Sequence, residues 1–367
     1  LATAYMDSIP MVAITGQVDI AMLGRDAFQE TDILDVTMPV TKHNYKIKNA
    51  ADLVPTIRQA FALARSGRPG PVLLDVPRNL FFEEVSYTAA KPEVRTPGRP
   101  DADFMICAAE AAAEIVAAAH PLVIVGGGVI SAGTSAEVAA FIEKYHLPVV
   151  HTLMGMGAVP STHPQMLGFA GMHGEKAANY AIGAADLVIA IGSRFADRQT
   201  GNLSKYTANR KFIHIDIDPA EIDKNIENSL GLAGDMRTIL GLLMRQSPKS
   251  DLAEWWDQIR TWQEEYDYDY HIGRLTVPWA LHQVAQSTTG KAYAYVTDVG
   301  QHQMWAALHL RVEEPRTWLT SGGLGTMGYG LPAAMGAQLA WGDSRRVIHI
   351  TGDGSIKMTG NEFYTIA

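Results

Sequence analysis

The segment Ile350-Thr-Gly352-Asp353-Gly354-Ser355 sets one carboxylate between two glycines, where an apolar run gives way to a helical pattern. Glycines there let the backbone approach a phosphate, and the helix start that follows offers N–H donors. Asp353 is then free to hold a hard divalent cation such as Mg2+, which commonly bridges to substrate phosphates. Taken alone, the hexapeptide also fits an ordinary strand-to-helix turn with Asp353 as an N-cap. Two further loops carry related chemistry. Val296-Thr-Asp298-Val-Gly300-Gln301-His302-Gln303 places polar side chains at the end of a predicted buried strand, where Gln301 and His302 suit a diphosphate. Thr320-Ser-Gly322-Gly-Leu-Gly325-Thr-Met327-Gly328-Tyr-Gly330 has five glycines in nine residues, a poor helix start unless a ligand presses on the backbone. Met327 reads there as core filler. Three such loops at strand ends in one block favour a site for a phosphate-bearing cofactor over three plain turns.

A second set lies in the middle of the chain. Gly126-Gly-Gly128 follows a predicted strand, but Ser131 stands at the sixth position and no acid closes the next strand. The nicotinamide dinucleotide fingerprint is therefore incomplete. Gly171-Met172-His173-Gly174, Gly192-Ser-Arg194-Phe195 and Asp216-Ile217-Asp218-Pro219 lie at or between strand ends and suit an extended dinucleotide. Arg194 and Arg198 are candidate anion contacts, against the alternative of a solvated arginine pair.

The elements that position these groups form three α/β blocks. The first has buried strands expected at 11–15 and 72–76 around a helical stripe at 50–66. A Pro-bearing linker is expected at 91–100. The second block runs from an alanine-rich helix near 102–119 through strands at 122–125, 149–150, 187–191 and 212–216, a doubly wound pattern with ligand loops at strand C-termini. A polar joint at 246–251 precedes a helix whose face of Trp255, Trp256, Ile259 and Trp262 reads as packing. The third block begins near His271, with strands at 293–296 and 346–350 and a helix expected over 325–339. The expected domains are 1–90, 101–246 and 271–367. Strand, helix and strand without hairpin signals predict parallel sheets.

Composition narrows the class without naming it. The chain holds 367 residues, 47% hydrophobic and 19% charged. At roughly 100–200 residues per domain, two or three domains are expected. Ample apolar residues exclude a disordered or fibrous chain. No apolar run approaches the roughly 20 residues of a membrane span, so no membrane partner is expected. A net charge of −9 argues against nucleic-acid binding. The single cysteine, Cys107, excludes an intramolecular disulfide and a multi-cysteine metal site, and it fits a reducing compartment. The chain opens at Leu1 in a helical pattern and stops at Ala367 in another, so a fragment lacking both ends is expected.

The ordered set of motifs resembles the acetohydroxyacid synthase (acetolactate synthase) large catalytic subunits. It comprises Ala4-Tyr-Met-Asp-Ser-Ile-Pro-Met-Val-Ala-Ile-Thr-Gly-Gln17, Asp26-Ala-Phe-Gln-Glu30, Thr41-Lys-His-Asn-Tyr45 and Ser66-Gly-Arg-Pro-Gly-Pro71. It continues with Gly168-Phe-Ala-Gly-Met-His-Gly174, Ile213-His-Ile-Asp-Ile-Asp-Pro-Ala-Glu221, Gly300-Gln-His-Gln-Met-Trp305 and Thr320-Ser-Gly-Gly-Leu-Gly-Thr-Met-Gly328. The match is collinear over essentially the whole chain. It implies a three-domain α/β thiamine-diphosphate enzyme fold, each domain a parallel sheet flanked by helices: partial pyrimidine-binding, central flavin-binding and partial diphosphate-binding. It implies thiamine diphosphate, Mg2+ and a non-redox FAD. The implied reaction decarboxylates pyruvate and condenses it with pyruvate or 2-oxobutyrate, opening branched-chain amino acid biosynthesis. A homodimer or tetramer with the active site between subunits, a regulatory small subunit, and a cytoplasmic (bacterial) or organellar location are likewise implied.

Position by position, the resemblance makes Asp353 the metal ligand. It sets Gly300, Gln301, His302, Gly325, Met327, Gly352, Gly354 and Ser355 around thiamine diphosphate, with Met327 propping the bent cofactor. Phe28 and Gln29 face the active site from the partner subunit. Met172 and Arg198 face the second 2-oxoacid. Arg68, Gly126, Gly127, Thr152, Leu153, Gly171, His173, Gly192, Arg194, Asp216, Ile217 and Asp235 match flavin-binding positions. The family's catalytic glutamate falls before Leu1, and its second side-chain metal ligand, an asparagine, falls after Ala367. Ala196 stands where the family commonly has Asp, and Ile356 and Lys357 also depart from the commonest pattern. The nearest alternatives are a flavin-free catabolic acetolactate synthase, a glyoxylate carboligase and a non-catalytic cofactor-binding paralogue.

Overall fold

The computed structural model describes residues 1–89, 101–248, 251–270 and 273–367. The expected linker at 91–100, part of the joint at 246–251 and the expected start of the third block at His271 lie outside the described residues. The chain divides into two compact units, Leu1–Pro97 with Gly322–Gly325, and Gly98–Ser321 with Thr326–Ala367. The second and third blocks read from the sequence fall together in the second unit, each with its own sheet.

In the first unit, β1 (Met11–Gln17), β2 (His43–Lys46) and β3 (Pro71–Pro77) form a parallel sheet in the order β1-β3-β2. All seven residues of central β3 are buried, which is why it reads as an apolar run broken only by Asp75. Its one buried carboxylate, Asp75, accepts hydrogen bonds from Thr15 Oγ1 at 2.9 Å and Gln17 Nε2 at 3.2 Å. The helical stripe begins as a short 3-10 turn, Ala50–Asp52, and continues as the α-helix Leu53–Arg65. β1 is an edge strand rather than a buried one: Met11 and Ile14 are exposed.

The second unit holds the largest sheet, all parallel: β4 (Pro121–Val125), β5 (Val149–His151), β6 (Met166–Phe169), β7 (Leu187–Ile191), β8 (Lys211–Asp216) and β9 (Leu230–Ala233). Its order is β6-β5-β4-β7-β8-β9. The winding reverses between β4 and β7, and in open α/β sheets such a switch point opens a crevice at the strand C-termini. Every residue of β4 and β7 is buried. The helix Ala253–Glu265 seals one side of this core. Trp255 Nε1 donates to the Pro121 carbonyl at 3.0 Å and Trp256 Nε1 to the His146 carbonyl at 2.9 Å, so the tryptophan face is packing.

The same unit carries a smaller parallel sheet of β10 (Tyr293–Thr297), β11 (Trp318–Leu319) and β12 (Arg346–Ile350), in the order β11-β10-β12. Helices Val277–Thr288, Gln301–His309 and Gly330–Trp341 flank it. The helix expected from residue 325 starts only at Gly330. Gly325 and Gly328 take φ of +63° and +85°, outside the right-handed helical region, so 325–329 stays a loop.

Candidate active site

All three strands of the small sheet end on one edge, and their loops meet there. Gly300 caps the helix Gln301–His309, and Gly352 caps the helix Asp353–Met358. Asp353 is thus the first helical residue, not the cap. The His302 imidazole lies between the two turns: a Cβ added at Gly300 would come within 3.0 Å of it, and one at Gly352 within 2.9 Å. Glycine at both positions is what lets the turns close on the ring. Buried Ser355 donates its hydroxyl to the Val299 carbonyl at 3.1 Å, tying the 352–355 turn to the end of β10. A Cβ at Gly354 would lie 3.3 Å from Met327 Cε, so the thioether tip covers that glycine. Gln301, Met327, Asp353 and Gly354 are exposed around this junction.

Burial pushes the His302 imidazole below its ordinary range, and does the same to His349 on β12. Both rings are therefore neutral near pH 7. His302 Nε2 and His349 Nε2 are buried without a hydrogen-bond partner. Buried polar atoms are normally satisfied, and exceptions point to a water, ion or ligand. The His302 ring sets its Cε1 and Nδ1 against the two glycine turns at a helix N-terminus, and the exposed Gln301 beside it offers amide donors that fit a diphosphate. Among the described residues no group of three or more His, Cys, Asp or Glu is placed to hold a metal. Asp353 alone instead fits an ion such as Mg2+, which takes one or two carboxylates and completes its shell with phosphate and water.

Asp298 is a residue whose weight the sequence did not reveal. It is fully buried, and its carboxylate accepts the N–H groups of Val299 at 3.0 Å, Gly328 at 2.9 Å and Gly330 at 3.1 Å. Nearby, Thr297 and Thr320 join their hydroxyls at 2.7 Å, and Gln303 Nε2 donates to Thr320 Oγ1 at 2.6 Å. Buried polar groups at the ends of β10 and β11 were the available signal.

In the large sheet, the turns after β4 and β7 meet backbone to backbone at the switch point. Gly126 N–H donates to the Ile191 carbonyl at 2.9 Å and Gly128 N–H to the Gly192 carbonyl at 3.0 Å. A Cβ on Gly128 would sit 2.6 Å from Gly192 Cα, so neither turn admits a side chain. Thr152 and Leu153 follow β5, and the Thr152 hydroxyl accepts the Gly155 N–H at 3.1 Å. Asp216 ends β8; its carboxylate accepts the Asp218 N–H at 2.9 Å and its carbonyl the Gly234 N–H at 2.8 Å. Asp235 caps the helix Met236–Leu243 through the Thr238 N–H, and Arg194 offers its carbonyl to Asn225 Nδ2 at 2.9 Å. Ile217, Met172 and His173 are exposed, whereas Gly171 and Gly192 are buried. Glycine turns at the strand C-termini, at the reversal of a parallel sheet, are where such folds bind ligands, and they fit an extended dinucleotide such as FAD.

Phe28, Gln29, Arg68 and Gly325 belong to the first unit. Phe28 is 89% exposed, Gln29 is exposed with φ of +64°, and Arg68 Nε donates to Ser8 Oγ at 2.9 Å.

Residues 108–243 match the central domain of thiamine pyrophosphate enzymes, and residues 298–367 match their C-terminal TPP-binding domain. Over its whole length the chain is 42% identical to the acetolactate synthase large subunit of Haemophilus influenzae and 42% identical to the acetolactate synthase isozyme 3 large subunit of Escherichia coli, covering 65% of each. It is 43% identical to the acetolactate synthase large subunit of Corynebacterium glutamicum, covering 60% of it. The chain thus spans just under two thirds of these relatives' lengths. No helix among the described residues is long and apolar enough to cross a membrane. With a TPP-binding domain at the edge of the small sheet and the family's central domain in the large one, the chain belongs to the thiamine-diphosphate-dependent enzymes and is similar throughout to acetolactate synthase large subunits.

Proposed function

We propose that this chain is the larger part of the catalytic subunit of an acetolactate synthase. Two pyruvate anions and one proton would give 2-acetolactate and CO2; with 2-oxobutyrate as the second 2-oxoacid the product is 2-aceto-2-hydroxybutyrate. The observation that carries the reading is the junction of the 300–302 and 352–355 turns around the His302 ring.

Thiamine diphosphate supplies the electron sink that makes decarboxylation of a 2-oxoacid possible, and the protein supplies binding and orientation. Gln301, at the start of a nine-residue helix, would donate to the diphosphate, His302 would line the same turn, and the helix N-terminus would favour the charge. Asp353 would hold the divalent ion that accompanies a diphosphate. Met327, over Gly354, would give the cofactor an apolar backing, and orientation of that kind can lower a barrier by several kcal/mol. Arg198 pairs with the carboxylate of the second 2-oxoacid, and Met172 packs against its alkyl end.

FAD belongs to the reading through the switch-point crevice, as a bound group without a redox role in the net reaction. Domains at 1–90, 101–246 and 271–367, with Phe28 and Gln29 serving a neighbouring subunit's site, remain the organisation we propose. The relatives' designation as large subunits supports a smaller partner subunit and an oligomer.

The test is product analysis with the full-length subunit, thiamine diphosphate and Mg2+. Acetolactate from pyruvate, with a flavin spectrum on the purified protein, is the expected result. Tartronate semialdehyde formed from glyoxylate in preference would make it a glyoxylate carboligase. A colourless protein with full activity would remove the flavin. No turnover with intact cofactor binding would leave a non-catalytic paralogue.

A further inference from the structure

We infer that Asp298 is a positioning residue of the cofactor site: its buried carboxylate holds the backbone at Gly328 and Gly330 and thereby keeps Met327 over the 352–355 turn. This rests on the thiamine-diphosphate reading given above.

The argument starts from what the loop lacks. Residues 325–329 form neither helix nor strand, and Gly328 takes a φ of +85°. Such a loop has no ladder to fix it. Asp298 replaces the ladder: Oδ1 accepts the N–H groups of Val299 and Gly328, and Oδ2 accepts that of Gly330. An ionised carboxylate is acceptor-only, so all three donors are served at once. Gly330 is also the first residue of the twelve-residue helix Gly330–Trp341, whose N-terminus favours a negative charge. A Cβ there would strike His349 Nε2 and lie 2.9 Å from the Asp298 backbone nitrogen, so only glycine lets the helix start this close to β10.

Met327 immediately precedes the first clamped amide. The 352–355 turn is tied to the neighbouring residue, through Ser355 Oγ to the Val299 carbonyl. The apolar prop and the metal-bearing turn are thus both referenced to residues 298 and 299. Loosening the Asp298 carboxylate frees one against the other, and it spares the bond between the His302 ring and the Asp298 main chain.

The test uses Asp298→Asn in the full-length subunit. An asparagine keeps the size but points an NH2 at one of the three donors. Hydrogen exchange, read without cofactor, should accelerate at Gly328 and Gly330 by about tenfold or more, with the β4–β9 sheet unchanged. With cofactor, kcat should fall about tenfold or more, while the KM for pyruvate and the half-saturating thiamine diphosphate each stay within about threefold. Thr297→Val is the control: it removes an equally buried hydrogen bond one residue away, to Thr320 and not to residues 325–330, and should leave exchange at Gly328 and Gly330 and kcat as in the parent. Parental exchange or parental kcat in Asp298→Asn overturns the inference, as does a Thr297→Val that reproduces both effects. If Asp298→Asn does not fold, the parent protein decides: slow exchange at Gly328 and Gly330 supports the clamp, and exchange as fast as an unprotected loop amide overturns it. A parent that makes no acetolactate would defeat the proposed function while the exchange measurement still reads the clamp.

Discussion

The Arg198 guanidinium donates to the Met172 thioether across 3.4 Å, and the Met172 N–H returns to the Arg198 carbonyl at 2.8 Å. Two residues 26 positions apart are locked by backbone and side chain together. Close approach at Gly171, where a Cβ would lie 2.7 Å from the Arg198 carbonyl oxygen, makes the lock possible. A cation and an apolar tip side by side are what a small 2-oxoacid needs, one for the carboxylate and one for the alkyl group.

Arg198→Ala should therefore raise the KM for the second 2-oxoacid about tenfold or more, the scale of a lost charge-assisted hydrogen bond. The side chain is 72% exposed, so stability should move by less than about 0.5 kcal/mol. Arg198→Lys keeps the charge without the planar fork and should fall between. Steady-state kinetics at varied pyruvate and 2-oxobutyrate, beside a melting curve, checks this. A parental KM in Arg198→Ala would take the residue out of the site.

Asp353→Asn isolates the metal. Asp353 is exposed at the start of a helix, so its loss should leave the fold intact. Half-saturating Mg2+ should rise about tenfold or more, because a hard cation loses an anionic oxygen. Titrating Mg2+ against activity and against cofactor-dependent fluorescence tests it. Parental behaviour at limiting Mg2+ would refute the assignment.

The crevice at the reversal of the large sheet gives a stability prediction. In Gly128→Ala the new methyl meets Gly192 Cα at 2.6 Å, and backbone cannot swing aside as a side-chain tip can. The cost should be about 2–4 kcal/mol, at or above the usual range for overpacking. The same shift opens the two turns, so the purified variant should carry less flavin. Denaturant midpoints and flavin absorbance per subunit read the two effects. Gly183→Ala, where nothing lies within 4 Å, is the matched control and should be neutral or slightly stabilising.

Much of this was legible in the sequence because it depends on local rules. Buried parallel strands such as β4 and β7 are unbroken apolar runs, and the glycine turns that follow strands mark candidate ligand loops by composition. The tryptophan face read as packing because its spacing matched one helix side. Three things were hidden. The start of the helix at Gly330 depends on positive φ at Gly325 and Gly328, which a helical pattern beginning at a glycine does not reveal. Asp298 looked like one more polar residue at a strand end, because its partners Gly328 and Gly330 are 30 and 32 positions away. The switch point was likewise invisible, since strand order is a property of pairing between distant segments.

The acid and base limits of stability follow from three groups of the second unit. Burial pushes the Glu175 carboxyl up to about 7, against a hydrogen bond from Tyr268 that favours its ionised form and with Asp267 adding to the rise. Burial pushes His151 and His309 down to about 4. For Glu175 the folded state binds the proton more tightly than the unfolded one, so its contribution is present below pH 4.5 and is lost as pH rises towards 7. The histidines have the opposite sign: the unfolded state binds their protons more tightly, so stability is present above pH 6.5 and is lost as pH falls towards 4. Between these limits unfolding takes up protons at two histidines and releases one from Glu175, so the parent protein should weaken gradually on acidification. Glu175→Gln removes the opposing term. The variant should be more stable than the parent at pH 8, by on the order of 2 kcal/mol, and should lose stability more steeply between pH 6.5 and 5. Urea midpoints across that range measure both slopes. Parallel profiles for parent and variant would show that Glu175 titrates normally in the folded protein.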